Sequence, residues 1–285
     1  MQPDILDNYG ILNGVSCLEY MTKLNPGPVK KGKNTFSYSS YRSYWECQLR
    51  FFLKYVDKRK PKVTPDSRNA LEGGAAHLAL ENFAREGVGK EPAEWIVANA
   101  EKYFEQYLGE MKRCVWKSQT DKAQAYVKYL ELVARGCLYI KNRVRGDILV
   151  REVSVEKKFV VKISPKLTIN GIIDLLLIKG VAGGQAFVDV VDWKGGSSRY
   201  VSKEQLMMYG LAAMGITGLP VGLLAFAYLG SNEQKTHTFT DSDYEAFIYK
   251  LIGLSEGKSA ENRVPTKDIK DCKWCIYKDE CEDKP

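Results

Sequence analysis

Asp174 and Asp192 each close an apolar stretch, Gly171-Ile172-Ile173-Asp174 in one case and Phe187 to Val191 in the other, interrupted only by Asp189. A carboxylate set into a segment that folds inward is costly unless a cation or a tightly paired network compensates it. Lys194 follows Asp192 by two residues, so on a strand their side chains share a face and the Trp193 ring between them turns to the other. Two carboxylates beside a lysine suit hydrolysis of a phosphate ester. A hard ion such as magnesium or manganese takes oxygen ligands, neutralises phosphate charge and acidifies water. Asp174, Asp192 and the Trp193 carbonyl are the candidate ligands, and Lys194 is placed to orient or help deprotonate water. Taken alone, Asp192-x-Lys194 is equally compatible with a salt bridge at a strand end.

Gln205 and Tyr209 lie four apart on a predicted helix and so share one face. They either reach the two acids or belong to an ordinary amphipathic helix. A second constellation is made of thiols. Cys272, Cys275 and Cys281 fall within ten residues, and Cys47 lies more than two hundred residues earlier, on an aromatic helix. Four thiolates suit a tetrahedral zinc or a [4Fe-4S] cluster. A local zinc knuckle takes its ligands from two nearby pairs, so the remote Cys47 favours a cluster that clasps the two chain ends together. With no secretory leader apparent, the seven cysteines point to a reducing, cytoplasmic setting. Cys17, Cys114 and Cys137 lack partners at ligand spacing and read as buried or idle thiols.

The elements that must position these residues divide the chain in four. Residues 1–36 read as an irregular lead-in. Residues 37–145 read as a helical lobe: a helix capped by Ser37 or Ser39 runs to about Tyr55, the prolines of Lys58 to Asp66 break it, and helices follow over 67–86, 92–113 and 119–145. Within 146–260 the pattern changes to short β-branched runs over 151–163, 167–178 and 185–192, a meander of three strands, followed by a helix over 202–214 and a strand over 221–229. Residues 261–285 form the cysteine-rich segment. The result is an α/β chain whose 285 residues and 45% hydrophobic content are ample for a core, and whose formal net charge of +7 suits a polyanionic partner. No run approaches the ~20 apolar residues that span a bilayer.

Helix, three-strand meander, helix and strand, with acids on the second and third strands, resembles the PD-(D/E)xK restriction-endonuclease-like fold. Four motifs match in order: Gly73-x-x-x-His77, Gly171-x-x-Asp174, Asp192-x-Lys194 and Gln205-x-x-x-Tyr209. With the cysteine frame, they make the chain similar to RecB-type nucleases that carry an iron-sulfur cluster, including CRISPR-associated RecB-like exonucleases, over about residues 37–281.

The resemblance implies a metal-dependent deoxyribonuclease, an exonuclease on single-stranded DNA or DNA ends, acting in recombination, repair, phage replication or spacer acquisition, with protein partners in such a complex. It implies that His77 is a further metal ligand, that Gln205 and Tyr209 position the DNA strand or support Lys194, and that Cys47, Cys272, Cys275 and Cys281 hold a [4Fe-4S] cluster. It often places an acid on the first strand, where Glu156 stands before Lys157 and Lys158; a surface acid beside two lysines would look the same. Two readings from other classes stand beside the nuclease: a catalytically silent or partner-activated DNA-binding module, and a zinc-stabilised structural subunit.

Overall fold

The computed structural model describes residues 12, 14–32, 34–61, 68–111, 116, 118–145, 149–180, 184–196, 202–257, 265, 272, 275–278 and 281. Its centre is a mixed sheet. Strands β2 (Leu149–Ser164), β3 (Leu167–Gly180) and β4 (Ala186–Lys194) form an antiparallel meander; β5 (Val221–Tyr228) runs parallel to β4, and β6 (Glu233–His237) is an antiparallel edge strand beyond it. A two-residue strand, β1 (Thr35–Phe36), pairs in parallel with Thr168 and Ile169 of β3. Because β4 joins β3 only from Leu175 onward, the residues between Ile169 and Leu175 are flanked by neither strand. Asp174 lies in that gap.

Helices cover both faces. On one face pack α1 (Cys17–Leu24), α2 (Tyr38–Glu46), α3 (Gln48–Phe51) with the π turn Phe52–Val56, α7 (Lys203–Thr217) and α8 (Asp241–Gly257). The other face carries α4 (Arg68–Asn82) with the π turn Phe83–Gly87, α5 (Pro92–Glu110) and α6 (Gln119–Val144). Serines set the helix starts: Ser37, Ser118 and Ser202 each accept a backbone N–H from the first turn, contacts worth about 1 kcal/mol apiece. α7 is buried continuously from Gln205 to Gly215, enclosed by the sheet, α1 and α8. It therefore has no solvent face and is not the amphipathic helix considered above. No helix among the described residues is long and apolar enough to cross a membrane.

Three expectations need correction. The lead-in is not irregular throughout, since Ser16 caps α1, Cys17 and Met21 are buried beneath it, and β1 joins the sheet. Eight residues with two buried positions give too short a period to read from sequence. The aromatic helix is interrupted at Cys47, whose backbone is extended (φ −161°, ψ 109°), so this thiol sits in a break between α2 and α3. The sheet also does not end with β5; the polar β6 has no apolar alternation to announce it. Cys114 falls outside the described residues.

The turn that follows β5 holds the end of β4. Leu229 N–H donates to the Lys194 carbonyl (2.9 Å), and Arg135 donates to the carbonyls of Leu229 (2.7 Å) and Gly230 (2.5 Å). A methyl group on Gly230 would stand 2.4 Å from the Gly195 carbonyl oxygen, a backbone atom that cannot rotate away. Gly230→Ala is expected to lower stability by about 1–3 kcal/mol in thermal or urea unfolding. Gly253→Ala on α8, where nothing lies within 4 Å of the added methyl, is expected to stabilise by up to about 1 kcal/mol.

Candidate active site

The site is built on a break in strand alternation. Along β2, Val153 and Val155 pack with the α4–α6 layer, whereas Phe159, Val161 and Ile163, of the same odd parity, pack with the α7 layer. β3 switches in the same way, with Ile169 and Ile173 in the α7 layer and Leu175 and Leu177 in the other. The switch falls at Glu156 and Asp174, which occupy facing positions between the pairs Val155–Leu175 and Lys157–Ile173. Glu156 makes the turn in the left-handed region, φ +47°, at a cost of about 1–2 kcal/mol for a residue with a Cβ. Strain of this kind persists where the surroundings enforce it, commonly at functional sites.

His77 comes from α4 across the sheet, its Nδ1 3.2 Å from Glu156 Oε1 and 3.6 Å from Asp174 Oδ1. Its ring meets the buried Trp193 indole edge to face, with centroids 5.8 Å apart. Asp174 Oδ2 accepts the Trp193 N–H (2.8 Å), a bond that bridges β3 and β4 just past their last ladder pair, Leu175–Val191. On the α7 side, Gln205 Nε2 donates to Asp192 Oδ1 (2.8 Å) and to the Tyr209 hydroxyl (3.1 Å), and Gln205 Oε1 accepts from Lys194 Nζ (3.1 Å). Lys194 Nζ also lies 2.5 Å from Asp192 Oδ2. That contact is an ion pair outside hydrogen-bond geometry, and Asp192 Oδ2 accepts no hydrogen bond; the Trp193 indole N–H also has no partner.

Electrostatics follow from this crowding. Burial raises the Asp174 carboxyl to about 7, reinforced by Asp192 and opposed by His77 and the Trp193 N–H. Burial likewise raises Asp192, against the pull of Lys194. For His77 burial works downward but is outweighed by Asp174, then Glu156 and Asp192, which lift the imidazole to about 9. Metal-free, the site therefore holds protons tightly. His77, Glu156 and Asp174 offer one ligand atom each within 4.8 Å of one another, the spacing a single cation needs. The raised carboxyls of Asp174 and Asp192 fit the same conclusion, that these buried acids are arranged for a positive charge, which Lys194 supplies at Asp192 Oδ2.

Each motif residue thus has a place. His77, Asp174, Asp192, Trp193, Lys194, Gln205 and Tyr209 converge on the gap between β3 and β4, and Glu156, left open by the sequence, joins them. The glycine of Gly171-x-x-Asp174 makes room for the Phe159 ring, which would lie 2.8 Å from any Cβ there and which meets Tyr209 edge to face. That support, running from Gly171 through Phe159 to Tyr209, is invisible in the motif itself. Cys47, Cys272, Cys275 and Cys281 are all partly buried. Cys275 lines a cavity of about 290 Å³ with Ser43, Glu46 and Arg50, which flank Cys47, and Tyr277 donates its hydroxyl to the Arg59 carbonyl (2.8 Å). Among the described residues, no three thiols lie within 4.8 Å of one another.

A layered sheet whose two central strands part around buried acids, with a lysine two residues beyond one of them, defines a metal-dependent nuclease of the restriction-endonuclease-like class. The chain belongs to the PD-(D/E)XK nuclease superfamily, whose family profile matches residues 35–282. No curated protein matches it.

Proposed function

We propose that the protein is a RecB-like deoxyribonuclease that degrades single-stranded DNA or DNA ends exonucleolytically. The observation that carries the nuclease in this reading is the pairing of a cation-ready donor set, His77–Glu156–Asp174, with a lysine held at a carboxylate and a glutamine; the preference for single strands and ends is taken from the motif resemblance. His77, Glu156 and Asp174 would hold magnesium or manganese, with Asp192 and the Trp193 carbonyl as further donors from β4. The cation supplies charge neutralisation at the scissile phosphate and acidifies water. Lys194 presents its ammonium to the attacking water and to phosphate oxygen. Gln205 and Tyr209 position that ammonium by holding Asp192 and Lys194 in register. The Trp193 ring and the continuously buried α7 close two walls of the site against bulk water.

Cys47, Cys272, Cys275 and Cys281 are proposed to hold a [4Fe-4S] cluster that ties the C-terminal turn to the α2–α3 break. The support is Cys275 lining a cavity with the residues around Cys47, together with the Tyr277–Arg59 bond. Anaerobically purified protein is expected to be brown and to contain iron and sulfide in equal amounts; a colourless protein carrying zinc would refute the cluster.

The nuclease is tested with end-labelled single- and double-stranded DNA incubated with magnesium, manganese or EDTA. Cleavage with either metal, none in EDTA, and a ladder that shortens from one end are expected. Binding without cleavage under every metal condition would leave a DNA-binding module instead, and internal cuts would replace the exonuclease by an endonuclease.

A further inference from the structure

Directly after Glu156 on β2, Lys157 is paired with Ile173 and Lys158 with Ile172, which is itself exposed, so the sheet is uncovered at this point. Here Lys157 and Lys158 are both exposed, and both line one cavity of about 630 Å³ with Glu156, Glu81 and Arg85. Glu81 and Glu156 also border a second cavity, of about 510 Å³, that contains His77. The two cavities therefore share Glu156, one of the three candidate cation ligands. Within the first, Arg85 is matched by Glu81 (2.5 Å) and Glu156 faces His77. Lys157 reaches an acid, Glu152, only at 3.8 Å, and Lys158 pairs with no acid among the described residues. The lining of this cavity thus carries three basic side chains, Arg85, Lys157 and Lys158, against two acidic ones, Glu81 and Glu156.

The second cavity differs in character. Its lining includes Asn69, Leu78, Tyr107 and Glu110 besides the shared residues and His77, and holds no lysine or arginine among the described residues. Positive charge thus lies on one side of the donor set, and a neutral-to-acidic wall with an aromatic ring on the other. Phosphates are drawn to the first side by ammonium groups, each displacing a counterion from the strand.

We propose that Lys157 and Lys158 form a phosphate-binding subsite for the DNA strand immediately beside the scissile linkage, on the Arg85 side of the cation site. This rests on the nuclease reading and gives it a direction across the fold: the charged backbone enters over β2, and the cavity beside Tyr107, which has no lysine or arginine to hold a phosphate among the described residues, takes the nucleoside beyond the cut.

The test uses the full-length protein and a fluorescent single-stranded oligonucleotide, with anisotropy read in EDTA across a salt series and, separately, cleavage kinetics in magnesium. For Lys157→Ala/Lys158→Ala, binding is expected to weaken about tenfold, and the slope of log affinity against log salt is expected to shallow by about 1 to 1.5, the equivalent of two single-strand phosphates. In cleavage, the rise in KM is expected to exceed any fall in kcat by about tenfold. Lys157→Arg/Lys158→Arg is expected to restore both the affinity and the slope. An alanine variant with the wild-type salt slope overturns the subsite whether or not the wild type cleaves. Failure of the wild type to cleave, with the slope changed as expected, overturns the nuclease reading and leaves the subsite standing.

Discussion

Asp174→Asn is expected to reduce cleavage by at least about a thousandfold and, in the same molecule, to make the metal-free protein more stable. Loss of activity follows from removing the carboxylate that lies between His77 and the Trp193 backbone N–H. The gain in stability is the more discriminating half. Asp174 is buried, and its carboxyl is raised to about 7 even with His77 and the Trp193 N–H already helping it ionise. Above neutral pH the folded, metal-free protein therefore carries a charge it holds less well than the unfolded chain does. Asparagine keeps an oxygen for the Trp193 N–H and drops the charge. The expected gain in unfolding free energy in EDTA at alkaline pH is about 1–2 kcal/mol. A structural carboxylate, retained for its bonds to neighbours, would behave in the opposite way, and a lowered melting temperature would mark Asp174 as such. Buried acids that destabilise the empty protein while enabling chemistry are the expected signature of a site built for an ion absent during folding.

The readable parts of the site are those where strand periodicity holds. β4 keeps its alternation throughout, so Asp192 and Lys194 fall together and the Trp193 ring packs in the opposite layer, as two-residue spacing requires. Gln205 and Tyr209 obey the helix period and reach the same pair. Alternation fails at Glu156 and Asp174, where both strands change face at once. No parity argument could place Glu156 there, because a regular β2 would have carried that parity unchanged along its whole length. Burial of α7 was similarly hidden: its polar residues look like one face of a surface helix, but they serve Asp192 and Lys194 inside the protein. α1 escaped because it is short, and the break at Cys47 because no proline or glycine marks it. The cap serines, in contrast, stood where helix starts were expected.

Protons and cation compete for the same atoms, which fixes how the protein responds to pH. Asp174 holds its proton up to about 7, above the range of an unfolded carboxyl, and His77 holds its own up to about 9, above the range of an unfolded imidazole. In both cases the folded state binds the extra proton, so the sign is the same. Stability of the metal-free protein is full at acid pH for these two groups and falls as pH rises, first through the window ending near 7 and then through the one ending near 9. Cation binding requires those protons to leave. The stabilisation given by magnesium or manganese is therefore expected to grow with pH, and the cation concentration for half-maximal cleavage to fall about a hundredfold for each pH unit below about 7, where both protons must leave, and about tenfold for each unit from there to about 9. Melting curves with and without magnesium at mildly acid and mildly alkaline pH, paired with magnesium titrations of the cleavage rate, read both quantities. A half-maximal magnesium concentration that does not move with pH would exclude Asp174 and His77 as the groups that exchange protons for the ion. Loss of the steeper dependence below about 7 in Asp174→Asn, together with a downward move of the His77 window once the charge that chiefly raises it is gone, would assign the lower window to the carboxylate. The protein then works best where its metal-free form is least stable, because the same desolvated carboxylate governs both.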